Sequence, residues 1–365
     1  MRFQVLVTDA FGGQGGIAKF NRDLLTALCS HPDCAGVTAF PRLMPNLPGP
    51  LPEKLAYVTE GLNSKIRYAQ CVMKKSFSRP KADLLICGHI NLLPLARLIQ
   101  FINRAPPTLI IHGIDAWQPT RSRLANRCAR RIETFLSVSD FTKQRFLSWT
   151  GLRPEQGYIL PDSITLEDFG PGVPDGRLLD RYRLHGRKVI LTLGRLSSQE
   201  RYKGIDEVME VLPTLAGDIP NLTWLIAGDG TDRARLEEKA AALRIKDRVV
   251  FAGYIPEAEK ADHYRLADAF VMPGWGEGFG IVYLEAMACG IPVVASKLDA
   301  SREAVRNGEL GILADPKNPR ELRAGILEAL RRPKGTVPGG LAYFSSANFR
   351  QRCHAIVDKL MENRN

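Results

Sequence analysis

No stretch of this 365-residue sequence approaches the ~18–20 consecutive apolar residues that a membrane-spanning helix needs. The chain passes from Met1 straight into the strand-like MRFQVLVTDAF, which leaves no room for a secretory leader, so the expected location is cytoplasmic. Its seven cysteines (29, 34, 71, 87, 128, 289 and 353) are odd in number and scattered, with no C-x-x-C pair and no histidine at ligand spacing. That pattern excludes a disulfide framework or structural zinc and leaves reduced core thiols. The basic stretches 65–81 and 121–131 set only Tyr68 and Phe77 among their cations, too few aromatics to suggest nucleic acid as a partner. The glycine loop lacks G-x-G-x-x-G spacing, so a nicotinamide dehydrogenase is a poor match, and no lysine stands in a context that suggests pyridoxal phosphate.

What the chain does contain is 45% hydrophobic residues over a length that exceeds one ordinary domain, which suits two domains. The net charge of +11 is uneven: residues 1–165 hold 21 Lys or Arg and 11 Asp or Glu, while residues 166–365 hold 29 and 28. Buried strand-like runs at 3–8, 84–87, 109–112 and 134–138 alternate with helix-like stretches, the first at 17–28. The second half repeats the scheme, with strands expected at 188–193, 222–227, 249–251, 269–272 and 292–295 and helices at 205–215 and 234–243. Apolar strands separated by helices mean parallel sheets covered on both faces. The expected fold is α/β, two Rossmann-like doubly wound domains in tandem with a cleft between them. The stretch Pro161–Gly176 reads as the linker, and residues 348–361 as a polar amphipathic helix that recrosses the cleft.

The most informative segment is PGWGEGFGIVYLEAMACGIPVVAS, residues 273–296. It sets Glu277 and Glu285 on either side of a Gly-Phe-Gly turn, the second acid inside an otherwise apolar helix where a carboxylate needs a partner. Such an acid pair suits a nucleotide sugar: carboxylates accept from sugar and ribose hydroxyls, and open amides at a helix start favour the diphosphate. Other loops carry further candidates. Gly12–Gly16 (GGQGG) opens the first helix as an anion cradle or as a plain tight turn. Arg195 and Lys203 flank one loop after a strand and either neutralise a diphosphate or are simply solvated. His112 in IHGID follows a strand, with Asp115 able to orient it or bind substrate, and His89 is a weaker case of the same kind. Arg123, Arg127 and Arg130 share one helix face whose other side carries Leu124, Cys128 and Ile132. That face and the stretch 65–81 are solvated surface or, against an anionic leaflet, a peripheral membrane contact worth about 1 kcal/mol per cation.

The ordered set GGQGGIAKFNRDLL, HGID, VSDFTKQRF, GRL with RYKG, AGDG, FAGYI and GEGFGIVYLEAMACGIPVVAS resembles retaining glycosyltransferases of family 4, the group 1 type with the GT-B fold. The resemblance covers nearly the whole chain, and its most specific part is the E-x7-E motif. It implies an acceptor-binding domain at 1–165, a donor domain at 166–345 and a returning helical segment at 346–365. Glu285 would bind the donor ribose, Glu277 with the Gly278, Phe279 and Gly280 backbone the transferred sugar, and Arg195 with Lys203 the diphosphate. Gly253, Tyr254 and Ile255 would receive the nucleobase, with Gly228 beside them. His112 would contact the sugar near the reacting carbon, and Gly13, Gly15 and Gly16 would close over the phosphates. Family members need no metal and no other cofactor, and attack is generally attributed to the face that the diphosphate leaves. One departure is Pro161-Asp162-Ser163-Ile164-Thr165, where the family usually has a Pro-Asn-Gly-Val-Asp-like stretch.

The function expected from the sequence is transfer of a sugar from a UDP- or GDP-linked donor to a glycan or lipid-linked glycan acceptor, in bacterial surface or exopolysaccharide synthesis at the inner face of the membrane. A nucleotide-sugar epimerase of the same shape would alter the donor with no acceptor present. A non-catalytic nucleotide-sugar-binding protein would bind it without turnover.

Overall fold

The structure is a computed structural model that describes residues 1–362. It divides into two compact units: unit 1 comprises Met1–Ser163 with the helix that begins at Ser346, and unit 2 comprises Ile164–Ser345. Residues 363–365, the end of the expected returning segment, lie outside the described residues.

Unit 1 runs β1 (Arg2–Val7), α1 (Gly16–Cys29), β2 (Gly36–Pro41), β3 (Leu55–Tyr57), α2 (Lys65–Ser76), β4 (Leu84–Cys87), α3 (Leu93–Asn103), β5 (Pro107–Ile111), α4 (Arg123–Ala129), β6 (Thr134–Ser137), α5 (Asp140–Thr150) and β7 (Gly157–Ile159). Unit 2 runs α6 (Gly176–Tyr182), β8 (Lys188–Leu193), α7 (Ile205–Asp218), β9 (Leu222–Ala227), α8 (Arg233–Ala242), β10 (Val249–Gly253), α9 (Lys260–Leu266), β11 (Ala269–Val271), α10 (Ile281–Ala288), β12 (Val293–Ser296), α11 (Ser301–Ala304), β13 (Ile312–Ala314) and α12 (Pro319–Arg331). The chain then re-enters unit 1 as α13 (Ser346–Glu362).

Among the described residues the strand order is β3-β2-β1-β4-β5-β6-β7 in unit 1 and β10-β9-β8-β11-β12-β13 in unit 2. Neighbouring strands pair in parallel, as in β1 with β4 and β8 with β11. β4, β5 and β9 are buried along their whole length, as expected for strands covered by helices on both faces. Each sheet reverses its order once, between β1 and β4 in unit 1 and between β8 and β11 in unit 2. In open α/β sheets ligands bind outside the strand carboxyl ends at such reversals.

Helix α13 docks on α1. The rings of Phe20 and Phe349 meet edge to face at 5.6 Å, His354 Nε2 donates to the Ala27 carbonyl at 2.8 Å, and His31 Nε2 lies 3.1 Å from Asp358 Oδ1. Among the described residues no helix is long and apolar enough to cross a membrane.

Two sequence expectations change. The stretch 161–176 is not a free tether along its length: Ser163 is buried with its hydroxyl donating to Asp23, and Ile164 N donates to the Phe344 carbonyl at 2.9 Å. On α4 the buried residues are Ala125 and Ala129, and Leu124 is 60% exposed, because the helix lasts only seven residues and turns that side chain to solvent.

Candidate active site

Four loops of unit 2 leave the carboxyl ends of adjoining strands and carry the residues singled out from the sequence. Arg195 and Lys203 follow β8, Gly228 follows β9, Gly253, Tyr254 and Ile255 lie at the end of β10, and residues 277–280 follow β11. The pairing of Ile190 with Ala269 and Leu191 with Phe270 makes the β8 and β11 loops neighbours. They touch through backbone: Trp275 N donates to the Tyr202 carbonyl at 2.8 Å. The approach needs glycine on both sides. A Cβ on Gly204 (φ +80°) would stand 2.3 Å from the Pro273 carbonyl oxygen, and one on Gly276 would stand 2.4 Å from the Tyr202 ring.

This contact delivers Lys203 to Glu277, with Nζ 2.9 Å from Oε1 and the side chains only 13% and 15% exposed. Burial works against the ammonium, but the Glu277 carboxylate outweighs it and holds the Lys203 pKa above the ordinary lysine value. Lys203 is also 3.6 Å from Glu200 Oε2, while Glu200 Oε1 pairs with the exposed Arg195 at 2.5 Å. Both cations assigned to a diphosphate therefore flank one carboxylate, which sequence reasoning did not notice although it lies three residues before Lys203. The structure brings Arg195 and Lys203 together and shows them partnered by acids, not open.

Glu285 is 1% exposed, one turn into α10 behind the left-handed Gly280 (φ 93°). Its charge has two partners: Tyr264 OH donates to Oε2 at 2.7 Å, and Lys260 Nζ donates to Oε1 at 3.1 Å. Both come from one face of α9, four residues apart. Burial opposes the Lys260 charge, and Glu285 and Glu257 more than restore it, so its pKa is raised. Burial and the adjacent Glu285 push the Tyr264 hydroxyl well above its usual range, so it remains a donor. The spacing of Lys260 and Tyr264 is a visible helical signal, but nothing in the sequence says which acid they face.

Asp299, fully buried after β12, pins the Glu277 loop. Its Oδ2 accepts from Glu277 N at 2.9 Å and its Oδ1 accepts from the Ser301 hydroxyl at 2.6 Å. Burial pushes its pKa up to about 6 despite those hydrogen bonds. Phe279 turns its ring away into the core, edge to face with Phe344 at 5.4 Å, which leaves backbone at the turn.

The loops after β9 and β10 are tied together by Gly228 N donating to the Gly253 carbonyl at 2.7 Å. Gly228 (φ +140°) lies so close to the β8 loop that a Cβ would come 1.9 Å from the Gly194 carbonyl oxygen. Ile255 is buried and Tyr254 is 62% exposed. Among the described residues no three His, Cys, Asp or Glu side chains gather as a metal site would require.

In unit 1 the candidates also sit at strand carboxyl ends. Gly13 packs against Asp9 and Ala18, whereas a Cβ at Gly15 or Gly16 would meet nothing within 4 Å, so the start of α1 is open. His112 follows β5, stacks edge to face on Phe20 at 5.2 Å and donates from Nε2 to the Gly88 carbonyl at 3.1 Å. Burial lowers its pKa to about 4, which keeps the ring neutral. Asp115, whose pKa burial pushes up to about 7, has a buried Oδ2 with no hydrogen-bond partner, 3.9 Å from His89 Nε2. His89 Nδ1 accepts from Asn91 N, so its proton sits on Nε2 facing that carboxyl. Asp115 thus stands nearer to His89 than to the role of orienting His112 through a hydrogen bond.

A family model described as Glycosyl transferases group 1 matches residues 180–337, which contain Arg195, Lys203, Gly228, Gly253, Glu277 and Glu285. The GDP-mannose-dependent alpha-(1-6)-phosphatidylinositol monomannoside mannosyltransferase of Mycolicibacterium smegmatis is 33% identical over 264 residues, 68% of this chain and 68% of that protein. The chain belongs to the group 1 glycosyltransferases. The phosphatidyl-myo-inositol mannosyltransferase of Mycobacterium tuberculosis is 37% identical to this glycosyltransferase over 193 residues, 53% of this chain and 47% of the relative. In fold the glycosyltransferase is similar to Anabaena HepE, solved in complex with UDP and glucose, with a TM-score of 0.77 at 19% identity over 98% of this chain and 100% of that one. The likeness is to GT-B architecture, two parallel-sheet Rossmann-like domains, as the sequence resemblance implied.

Proposed function

We propose that this glycosyltransferase moves a sugar from a nucleotide diphosphate sugar to a hydroxyl of a glycan or lipid-linked glycan, retaining the anomeric configuration. The observation that carries the reading is the pair of cation-held carboxylates, the partly buried Glu277 with Lys203 and the buried Glu285 with Lys260 and Tyr264, on either side of one helix start at the sheet reversal of unit 2. Glu285 is assigned to the ribose hydroxyls, Glu277 and the backbone of Gly278, Phe279 and Gly280 to the transferred sugar, and Gly228, Gly253, Tyr254 and Ile255 to the base. His112 and the loop containing Gly13, Gly15 and Gly16 are assigned to the transfer step. The mannosyltransferase relatives favour GDP-mannose as the first donor to test, with UDP-sugars next.

In the reaction the acceptor oxygen bonds to the anomeric carbon as the bond from that carbon to the diphosphate oxygen breaks. The acceptor proton passes to the departing phosphate, and Arg195 and Lys203 stabilise the charge that develops there, the part a divalent ion plays in other transferases. The setting is surface polysaccharide or glycolipid synthesis on the cytoplasmic side, with the basic unit 1 supporting peripheral contact with an anionic membrane. The test is turnover of GDP-mannose and UDP-glucose with a soluble mannoside acceptor in the presence of excess chelator, with the product anomer read by NMR. An α-linked product from an α-linked donor with chelator present supports the reading. Loss of turnover with chelator, or a β-linked product, contradicts it.

A further inference from the structure

Between β1 and α1 every carbonyl from Asp9 to Gly13 is taken by a donor. Asn21 Nδ2 donates to the Asp9 carbonyl at 2.8 Å, Tyr57 OH to that of Phe11 at 3.1 Å, and Asn46 N to that of Gly12 at 3.1 Å. Gly13 N donates to the Ala10 carbonyl at 2.9 Å and closes a four-residue turn, with the left-handed Gly12 (φ +80°) at its third position. The half-buried Arg22 reaches back from α1 to this turn. Its Nη1 donates to the carbonyls at both ends, Ala10 at 3.2 Å and Gly13 at 3.1 Å.

The consequence falls on the residues that follow. A trans peptide points its N–H away from its C=O, so the bond from Arg22 to the Gly13 carbonyl turns the Gln14 N–H to the opposite side. The chain is anchored again where Lys19 N donates to the Gly15 carbonyl at 3.0 Å, at the start of α1. The exposed stretch Gln14–Gly16 therefore spans three residues between two fixed points.

The plain alternative is that Arg22 only stabilises the turn. Asn21, Tyr57, Asn46 and the Gly13 amide already hold the carbonyls from Asp9 to Gly12. The second bond of Arg22, to the Gly13 carbonyl, lies at the exit of the turn and fixes the direction in which the chain leaves towards Gly15 and Gly16.

We propose that Arg22 is a positioning residue for the transfer step, which acts by setting the place of Gln14, Gly15 and Gly16 and does not itself touch the donor. The inference rests on the assignment of the glycine loop to that step. Its loss is expected in kcat and not in donor KM, because the residues assigned to holding the donor all lie in unit 2. A misplacement of about 1 Å at a positioned group costs up to roughly 10²-fold in rate.

The test measures transfer from GDP-mannose and UDP-glucose to a soluble mannoside, and hydrogen exchange of the peptide 9–19, in wild type, Arg22→Ala and Arg22→Lys proteins. Donor sites per chain are titrated in each protein, so that a misfolded fraction does not count as lost kcat. The expected result for Arg22→Ala is faster exchange confined to that peptide, kcat lower by about tenfold or more and donor KM changed by less than about threefold. Arg22→Lys, which keeps a cationic donor on a long stem, should show the same split with a smaller loss. Wild type without turnover contradicts the donor reading, and this proposal with it. Active wild type beside an Arg22→Ala protein of equal kcat overturns the clamp alone, as does a kcat loss with exchange unchanged or a KM that rises as far as kcat falls.

Discussion

Lys203 Nζ stands 2.9 Å from Glu277 Oε1, which joins the loop after β8 to the loop after β11 at the strand pair where the unit 2 sheet reverses. Each side chain is a partner for the other when the site is empty and a candidate ligand for opposite ends of a sugar diphosphate. Replacing Lys203 leaves the Glu277 carboxylate without its cation, whereas replacing Glu277 leaves Lys203 with only Glu200 at 3.6 Å. Lys203→Ala and Glu277→Ala should each lower kcat by on the order of 10²-fold or more, the usual scale for a group that meets developing charge. The double variant should lose far less than the product of the two, which a double-mutant cycle on kcat would show.

Glu200 gives the opposite sign. It lies against both Arg195 and Lys203, so under the proposed assignment it would compete with a diphosphate for both. Glu200→Gln should tighten binding of the nucleoside diphosphate product by roughly three- to tenfold at low salt, with the gain shrinking as salt rises. Product inhibition constants measured across ionic strength check this, and weaker product binding in the variant would make Glu200 a support for the cations.

Tyr264→Phe deletes the donor to Glu285 Oε2 and leaves the ring packing in place. A hydrogen bond to a buried charge is worth about 1.5–3 kcal/mol, so the variant should melt at lower temperature. Donor KM should rise as well, because the carboxylate loses one of two groups that orient it. A variant with unchanged stability and KM would show that Lys260 alone positions Glu285.

Asp115 sets a pH dependence in unit 1. Its carboxyl is pushed up to about 7 from 3.8, so between those values the folded chain holds a proton that the unfolded chain has released. Stability from this group therefore falls as pH rises towards 7 and levels off above it. His112 acts in the other direction: with its pKa lowered to about 4, it costs stability as pH falls below 6.5. Asp115→Asn should consequently gain on wild type by roughly 2 kcal/mol between about pH 5 and about pH 8. Paired melting curves at those two pH values test it, and a constant difference between the proteins would contradict it.

Much of this architecture is written in local pattern. β4 coincides with a continuous apolar run, β8 and β9 are apolar apart from Lys188, Thr192 and Thr223, and α1 and α7 follow a clear helical period. β3, β7 and β13 are three-residue strands with no period to read, and β2 ends in a proline. The acids of the site were legible because two carboxylates flank a glycine turn in apolar surroundings. Their partners were not, because Lys203 reaches Glu277 across 74 residues of chain and Tyr264 reaches Glu285 across 21. Asp299 and Glu200 depend likewise on which loops the sheet order makes neighbours, and no single segment encodes that.

The most direct measurement is thermal stabilisation by a panel of GDP-, UDP-, ADP- and TDP-sugars without added metal, in wild type and Glu285→Gln proteins. Saturation at about 100 times Kd should add roughly 2.7 kcal/mol of stability. The expected result is a clear shift with one nucleotide family that Glu285→Gln abolishes. An equal shift in both proteins, or none with any donor, would contradict the assignment of this carboxylate to the nucleotide.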